Sequence, residues 1–276
     1  MFAFRTNVVR FSSEKGDTVQ AQDLFTYLRD QNPLVQCITN FVSMNVAANV
    51  VLAAGASPAM VHAHEEIADF TPICGGLAVN IGTLSPPWVD SMMAAARVAN
   101  DTGVPWVLDP VAHFISGYRK DAAQRLMALR PTILRGNASE ILAMAGEAGS
   151  GKGADSRDSV EAAQDAAVSL AQTFGSVVAV SGPTDFLTDG VRSVMVTGGS
   201  DLMPKVTALG CSQSALMGAY AGCGPAFDAA LATLAHFKVA GTKAAARADG
   251  PGSFQPHFLD ALYTTQAHEL ADVIKA

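Results

Sequence analysis

Short apolar runs alternating with helical patterns limit what this chain can fold into. Runs at 34–38, 57–61, 77–81, 104–108, 132–134, 176–180 and 192–196 have strand length, and amphipathic helical segments lie between them. Strands joined through helices run parallel. A parallel sheet must be covered on both faces. The pattern predicts an α/β fold with a mostly parallel, doubly wound sheet flanked by helices. After Gly210 the pattern is helical almost to the C-terminus, with breaks near 222–225 and 248–252. These last helices should cover one face.

Local punctuation supports the reading. Ser85-Pro86-Pro87 opens a helix, with proline near the first helical position and Gly103 beyond its end. Asp158 and Glu161 have capping-box spacing, and Gly175 marks that helix's stop. Residues 1–25 read as a loosely ordered extension and 26–276 as a single domain. Residues 146–155 read as a flexible loop.

Hydrophobic residues make up 49% of the 276 and charged residues 16%, enough for a large core. The net charge of −7 and the lack of a Lys/Arg cluster argue against nucleic acid or an acidic membrane as partner. The longest apolar stretch, 46–61, is interrupted by Asn49, Gly55, Ser57 and Pro58, which argues against a membrane span. The four cysteines form no C-x-x-C pair, which favours reduced thiols and a cytoplasmic setting.

In doubly wound sheets ligands gather at the carboxyl ends of the strands. Polar or small residues fall there repeatedly: Thr39-Asn40, Asn80, Asp109-Pro110, Arg135-Gly136-Asn137 and Ser181-Gly182. Val206-Thr207-Ala208-Leu209-Gly210-Cys211 ends where a small-residue helix begins. A helix start offers amides without helical acceptors and a partial positive charge, which suits phosphate. A thiol there should have a lowered pKa. Asn137 and Glu140 have two readings, a capping box or a water-mediated site for Mg2+. Gly151-Lys152-Gly153 fails the P-loop pattern at its last position. The six histidines show no H-E-x-x-H spacing.

Taken in order, Pro33 to Asn40, Met44-Asn45, Ala53 to Met60, Asn80 to Leu84, Leu108 to Val111, Arg135 to Glu140, Gly151 to Ser156 and Gly210-Cys211 resemble hydroxyethylthiazole kinases, a ribokinase-like family. The likeness spans roughly residues 30–265. It implies a three-layer fold and ATP-dependent phosphorylation of the primary hydroxyl of 4-methyl-5-(2-hydroxyethyl)thiazole, in thiamine biosynthesis and salvage. It also implies a homotrimer with sites at subunit interfaces. By this resemblance Met44 contacts the thiazole, and Arg119 and Ser181 contact ATP. Asn40 and Ala208 are expected beside the thiazole and Asn137 beside ATP, with Glu140 and Asp109 as the candidate Mg2+ residues. The Gly210 and Cys211 amides form the anion hole, and Cys211 stands where ribokinase relatives carry a catalytic Asp.

Two segments depart from the family pattern. Ala112-His113-Phe114-Ile115 replaces Gly-Ala-Gly-Ala, and Ala208 replaces the first glycine of Gly-x-Gly-Cys. Both put bulkier side chains beside the expected phosphate or thiazole path. Two alternatives therefore stay open: a same-fold kinase for another small heterocyclic alcohol, or a degenerate relative that binds without turnover.

Overall fold

Strands buried on both faces form the middle of a nine-stranded sheet. They are β1 (Leu34–Ile38), β3 (Gly76–Asn80), β4 (Trp106–Asp109), β5 (Ile133–Asn137) and β6 (Val177–Ser181). The computed structural model describes residues 20–146 and 156–275, the side chains of 156–162 aside. With the edge strand β2 (Ser57–Ala59), these strands pair in parallel. Then β7 (Asp185–Thr188), β8 (Ser193–Val196) and β9 (Ile274–Lys275) extend the sheet antiparallel. The order is β2-β1-β3-β4-β5-β6-β7-β8-β9, so the winding direction reverses between β1 and β3.

Helices cover both faces, as expected. On one lie α1 (Ala21–Gln31), α2 (Met44–Ala54), α8 (Leu209–Ala221), α9 (Ala226–Ala245) and α10 (Pro251–Thr264). On the other lie α3 (Ile67–Phe70), α4 (Pro86–Thr102), α5 (Gly117–Met127), α6 (Ala138–Met144) and α7 (Ser156–Phe174). No described helix is long and apolar enough to cross a membrane.

The punctuation of α4 is as read from sequence: Ser85 is the N-cap, and left-handed Gly103 ends it. Gly175 ends α7 with φ +70°, but the helix begins at Ser156, ahead of Asp158. The proposed Asp158–Glu161 capping box lies outside the described side chains, as does nearly all of the 146–155 loop. Helix α1 begins at Ala21, inside the stretch read as an extension. Ala21, Leu24, Phe25 and Leu28 form a buried i, i+3, i+4, i+7 stripe, which ties residues 21–25 to the core. Residues 1–19 lie outside the described chain.

Helix α8 positions the site. It is buried almost all round, and glycines set its distance from the sheet. A Cβ on Gly76 would lie 2.0 Å from the Gly218 carbonyl oxygen, and one on Gly222 would lie 2.5 Å from that of Gly75. Backbone therefore meets backbone, and the start of α8 reaches the carboxyl ends of β3 and β4.

Candidate active site

At the reversal between β1 and β3, side chains from successive strand ends join in one buried hydrogen-bonded row. Asn40, just past β1, donates Nδ2 to Asn80 Oδ1 (2.8 Å) and to Cys211 Sγ (3.3 Å). Its Oδ1 accepts the Val42 and Ser43 amides, which fixes the approach to α2. Asn80, ending β3, donates to Asp109 Oδ2 (2.8 Å). Asp109, ending β4, also accepts from Ser214 Oγ of α8 (2.7 Å) and lies 3.6 Å from Arg135 Nη1. Arg135 of β5 donates to Gln213 Oε1 of α8 (3.1 Å) and to Ser181 Oγ at the end of β6 (2.8 Å).

The row thus crosses five strand ends and is hooked three times to α8, at Cys211, Gln213 and Ser214. Gly210 fits this arrangement closely, since a Cβ there would lie 3.0 Å from Arg135 Nη1 and the guanidinium would have to give by a few tenths of an ångström. Ala208, immediately before α8, sits in the left-handed region at φ +67°, and Ala112, after β4, does so at φ +47°. Both departures from the family pattern therefore put alanine where the backbone favours glycine.

Burial and the nearby Asp109 charge push the Cys211 thiol up, against the pull of Asn40, Asn80 and Arg135. This corrects the lowered pKa expected from its place at a helix start: desolvation outweighs the helix field. Asp109 is fully buried and is pushed up to about 6 by burial; Glu140 adds to the rise, while Arg135, Ser214 and Asn80 oppose it. Its Oδ1 is buried without a hydrogen-bond partner among the described residues.

Glu140 and Asn137 make the reciprocal capping box at the start of α6. Glu140 Oε1 also accepts the Ala112 amide (2.9 Å), so the carboxylate holds the loop after β4 beside Asp109. Arg119 donates to the Ile81 and Val111 carbonyls (2.8 and 3.0 Å) and to that of Gly82, which joins the loops after β3 and β4. Met44 is half-buried at the start of α2, against the apolar residues on the α3–α7 face of the sheet. His113 is buried, whereas Phe114 and Ile115 are exposed. A groove of about 680 Å³ lined by His62, His64, Trp88 and Arg97 contains none of the strand-end residues.

Sequence reasoning missed Gln213 and Ser214 as members of the site. Their signal was a polar Ser212-Gln213-Ser214 run inside an apolar helix, with Ser214 three residues after Cys211 and hence on its face.

Residues 25–268 match the model of the hydroxyethylthiazole kinase family. A hydroxyethylthiazole kinase from Roseobacter denitrificans is 74% identical over 253 residues, 92% of this chain and 98% of its own. One from Rhizobium leguminosarum bv. trifolii is 57% identical over 90% of this chain and 93% of its own. The solved hydroxyethylthiazole kinase protein from Pyrococcus horikoshii superposes with a TM-score of 0.86 at 35% identity, covering 92% of this chain and 97% of that one. An ADP complex of Bacillus subtilis pyridoxal kinase shares the fold alone, with a TM-score of 0.58 at 16% identity over 75% of this chain and 91% of that one. The three layers described above are the ribokinase-like fold expected from the sequence, and the chain belongs to the hydroxyethylthiazole kinase family, a family of phosphotransferases.

Proposed function

We propose that the chain transfers the γ-phosphoryl group of ATP to the primary hydroxyl of 4-methyl-5-(2-hydroxyethyl)thiazole, a step in thiamine biosynthesis and salvage. The observation that carries this reading is the start of α8, with Gly210 and Cys211, tied to the strand ends by Asn40, Asp109 and Arg135. In this reading Asn40, Met44 and Ala208 face the thiazole alcohol. Arg119, Ser181 and Asn137 serve the nucleotide, and the Gly210 and Cys211 amides receive the charge of the transferred group.

Phosphoryl transfer has a loose transition state, so positioning and charge neutralisation outweigh a strong base. That suits Cys211, whose raised pKa keeps the thiol protonated near neutral pH. Its sulfur accepts from Asn40, which orients the thiol as a hydrogen-bonding guide for the attacking hydroxyl.

The residues present fit a Mg2+ ion. Asp109 Oδ1 is buried and has no hydrogen-bond partner among the described residues, and the Glu140 charge works against ionising Asp109. A hard dication relieves both effects, and it takes few protein carboxylates, completing its shell with water and phosphate. Asp109 and Glu140 would hold it; when bound it neutralises phosphate charge.

The proposal includes a homotrimer in the cytoplasm. Exposed Phe41, Val42, Phe114 and Ile115 at the rim support an interface there. The four free cysteines suit a reducing compartment. The deciding experiment incubates the protein with thiazole alcohol, ATP and Mg2+ and measures the monophosphate by mass spectrometry. Folded protein giving no product above the enzyme-free control refutes the proposal. The alanines at positions 112 and 208 favour one second reading, a different small heterocyclic alcohol as acceptor. Profiling acceptors by kcat/KM separates the two.

A further inference from the structure

A buried ion pair that the proposed chemistry does not use lies beside Ser181. Lys238 of α9 and Asp185 of β7 are 4% and 2% exposed, with Nζ 3.2 Å from Oδ1. The ammonium also donates to the Gly182 carbonyl (2.7 Å) and the Pro183 carbonyl (2.9 Å). Asp185 Oδ1 accepts the Gly182 amide (2.9 Å). Gly182, next to Ser181, is thus gripped at its N–H by the carboxylate and at its carbonyl by the ammonium.

The same lysine braces a second loop. The Gly199 amide, past β8, donates to the Lys238 carbonyl (3.1 Å), and a Cβ on Gly199 would lie 3.2 Å from Lys238 Cδ. Lys238 therefore holds the turn after β6 with its ammonium and the loop after β8 with its main-chain carbonyl.

A pair like this is an expensive way to hold a turn. Both charges lose their hydration, and Asp185 Oδ2 is left buried without a hydrogen-bond partner among the described residues. Apolar side chains of similar volume often serve stability as well or better. What they lack is a donor for the two turn carbonyls.

We propose that Lys238 is a positioning residue for the nucleotide: its ammonium holds the Gly182 and Pro183 carbonyls so that the Ser181 turn is in place before ATP arrives. This rests on the reading of Ser181 as a nucleotide contact. Preorganisation of a loop appears as affinity, because its ordering is not charged against binding.

The test measures β,γ-methylene-ATP binding by titration calorimetry, melting temperature, and KM for the thiazole alcohol. Lys238→Met/Asp185→Asn removes both charges together and should melt near wild type. It should nevertheless bind the nucleotide about tenfold more weakly, the order for losing one or two preset side-chain or loop conformations. The KM for the alcohol should stay within about twofold of wild type. Asp185→Asn alone leaves Lys238 its two carbonyls and should bind the nucleotide nearly as wild type does. A double variant with wild-type affinity, a rise in the alcohol KM as large as the loss of nucleotide affinity, or a loss in Asp185→Asn as large as in the double variant overturns the inference. Wild-type protein that binds no nucleotide overturns the ATP reading beneath it as well.

Discussion

Ala208 gives the sharpest test of how the site is built. Its φ of +67° and ψ of 1° place it in the left-handed region, where it supplies the carbonyl that accepts the Ser212 amide at the start of α8. An L-residue there costs about 1–2 kcal/mol relative to its preferred regions. Ala208→Gly removes that strain but gives the unfolded chain more freedom, which offsets about 0.4–1 kcal/mol. The net gain is about 0.5–1 kcal/mol, or roughly 1–4 °C in melting temperature for a chain of this length. Scanning calorimetry measures it. The control is Ala219→Gly in the same helix, where the residue is buried and helical. There the same chemical change should destabilise by about 1 kcal/mol or more. Opposite signs establish that backbone conformation sets the effect. If Ala208→Gly melts below wild type, the left-handed strain is not what that residue contributes.

Three further outcomes follow from the geometry. Cys211→Ala should lower kcat about 10- to 100-fold, at or below the low end for a general base because the buried thiol is already protonated; Cys211→Asp should retain activity, Cys211→Ser should resemble Ala, and a phosphorylated Cys211 in a trapped reaction would refute the assignment. Asp109 titrates near 6 when folded and near 3.8 when unfolded, so the folded chain binds the extra proton between those values and loses about 3 kcal/mol of stability as pH rises through them; in chelator, the melting temperature of Asp109→Asn minus that of wild type should therefore climb from pH 4 to 7, and a flat difference would remove the assigned shift. Light scattering at micromolar concentration should give a trimer, and a monomer would undermine an interface-built acceptor site.

What the sequence made legible was the part of the fold written in local chemistry. The central strands are continuous apolar runs, and Ser85-Pro86 and Gly103 bound α4 through caps that act within one turn. The antiparallel β7 escaped because it offers only a short apolar run; the Asp189-Gly190 pair after it was the hairpin signal to use. Strand β9 is two residues long and is defined by its partner. In the site, the strand-end polar residues were legible because topology alone sends them to one edge. The raised pKa of Cys211 was not, because it depends on burial and on Asp109, more than a hundred residues away in the chain. Nor was the left-handed backbone at positions 112 and 208, since alanine carries no mark of it.

The small residues of α8 and the charges of the site are one requirement. Gly76, Gly218 and Gly222 let the helix lie backbone to backbone on the sheet. Only at that distance do short side chains such as Ser214 reach Asp109, and Gln213 reach Arg135. Those two contacts offset part of the desolvation of a fully buried carboxylate and its guanidinium partner. Arg135, so held, lies against Gly210, where a Cβ would press on the guanidinium, and the bare glycine leaves the first turn of α8 open at its amides. Packing of α8 on the sheet thus fixes the electrostatics of the helix start, and the glycines that look like a folding feature belong equally to the chemistry.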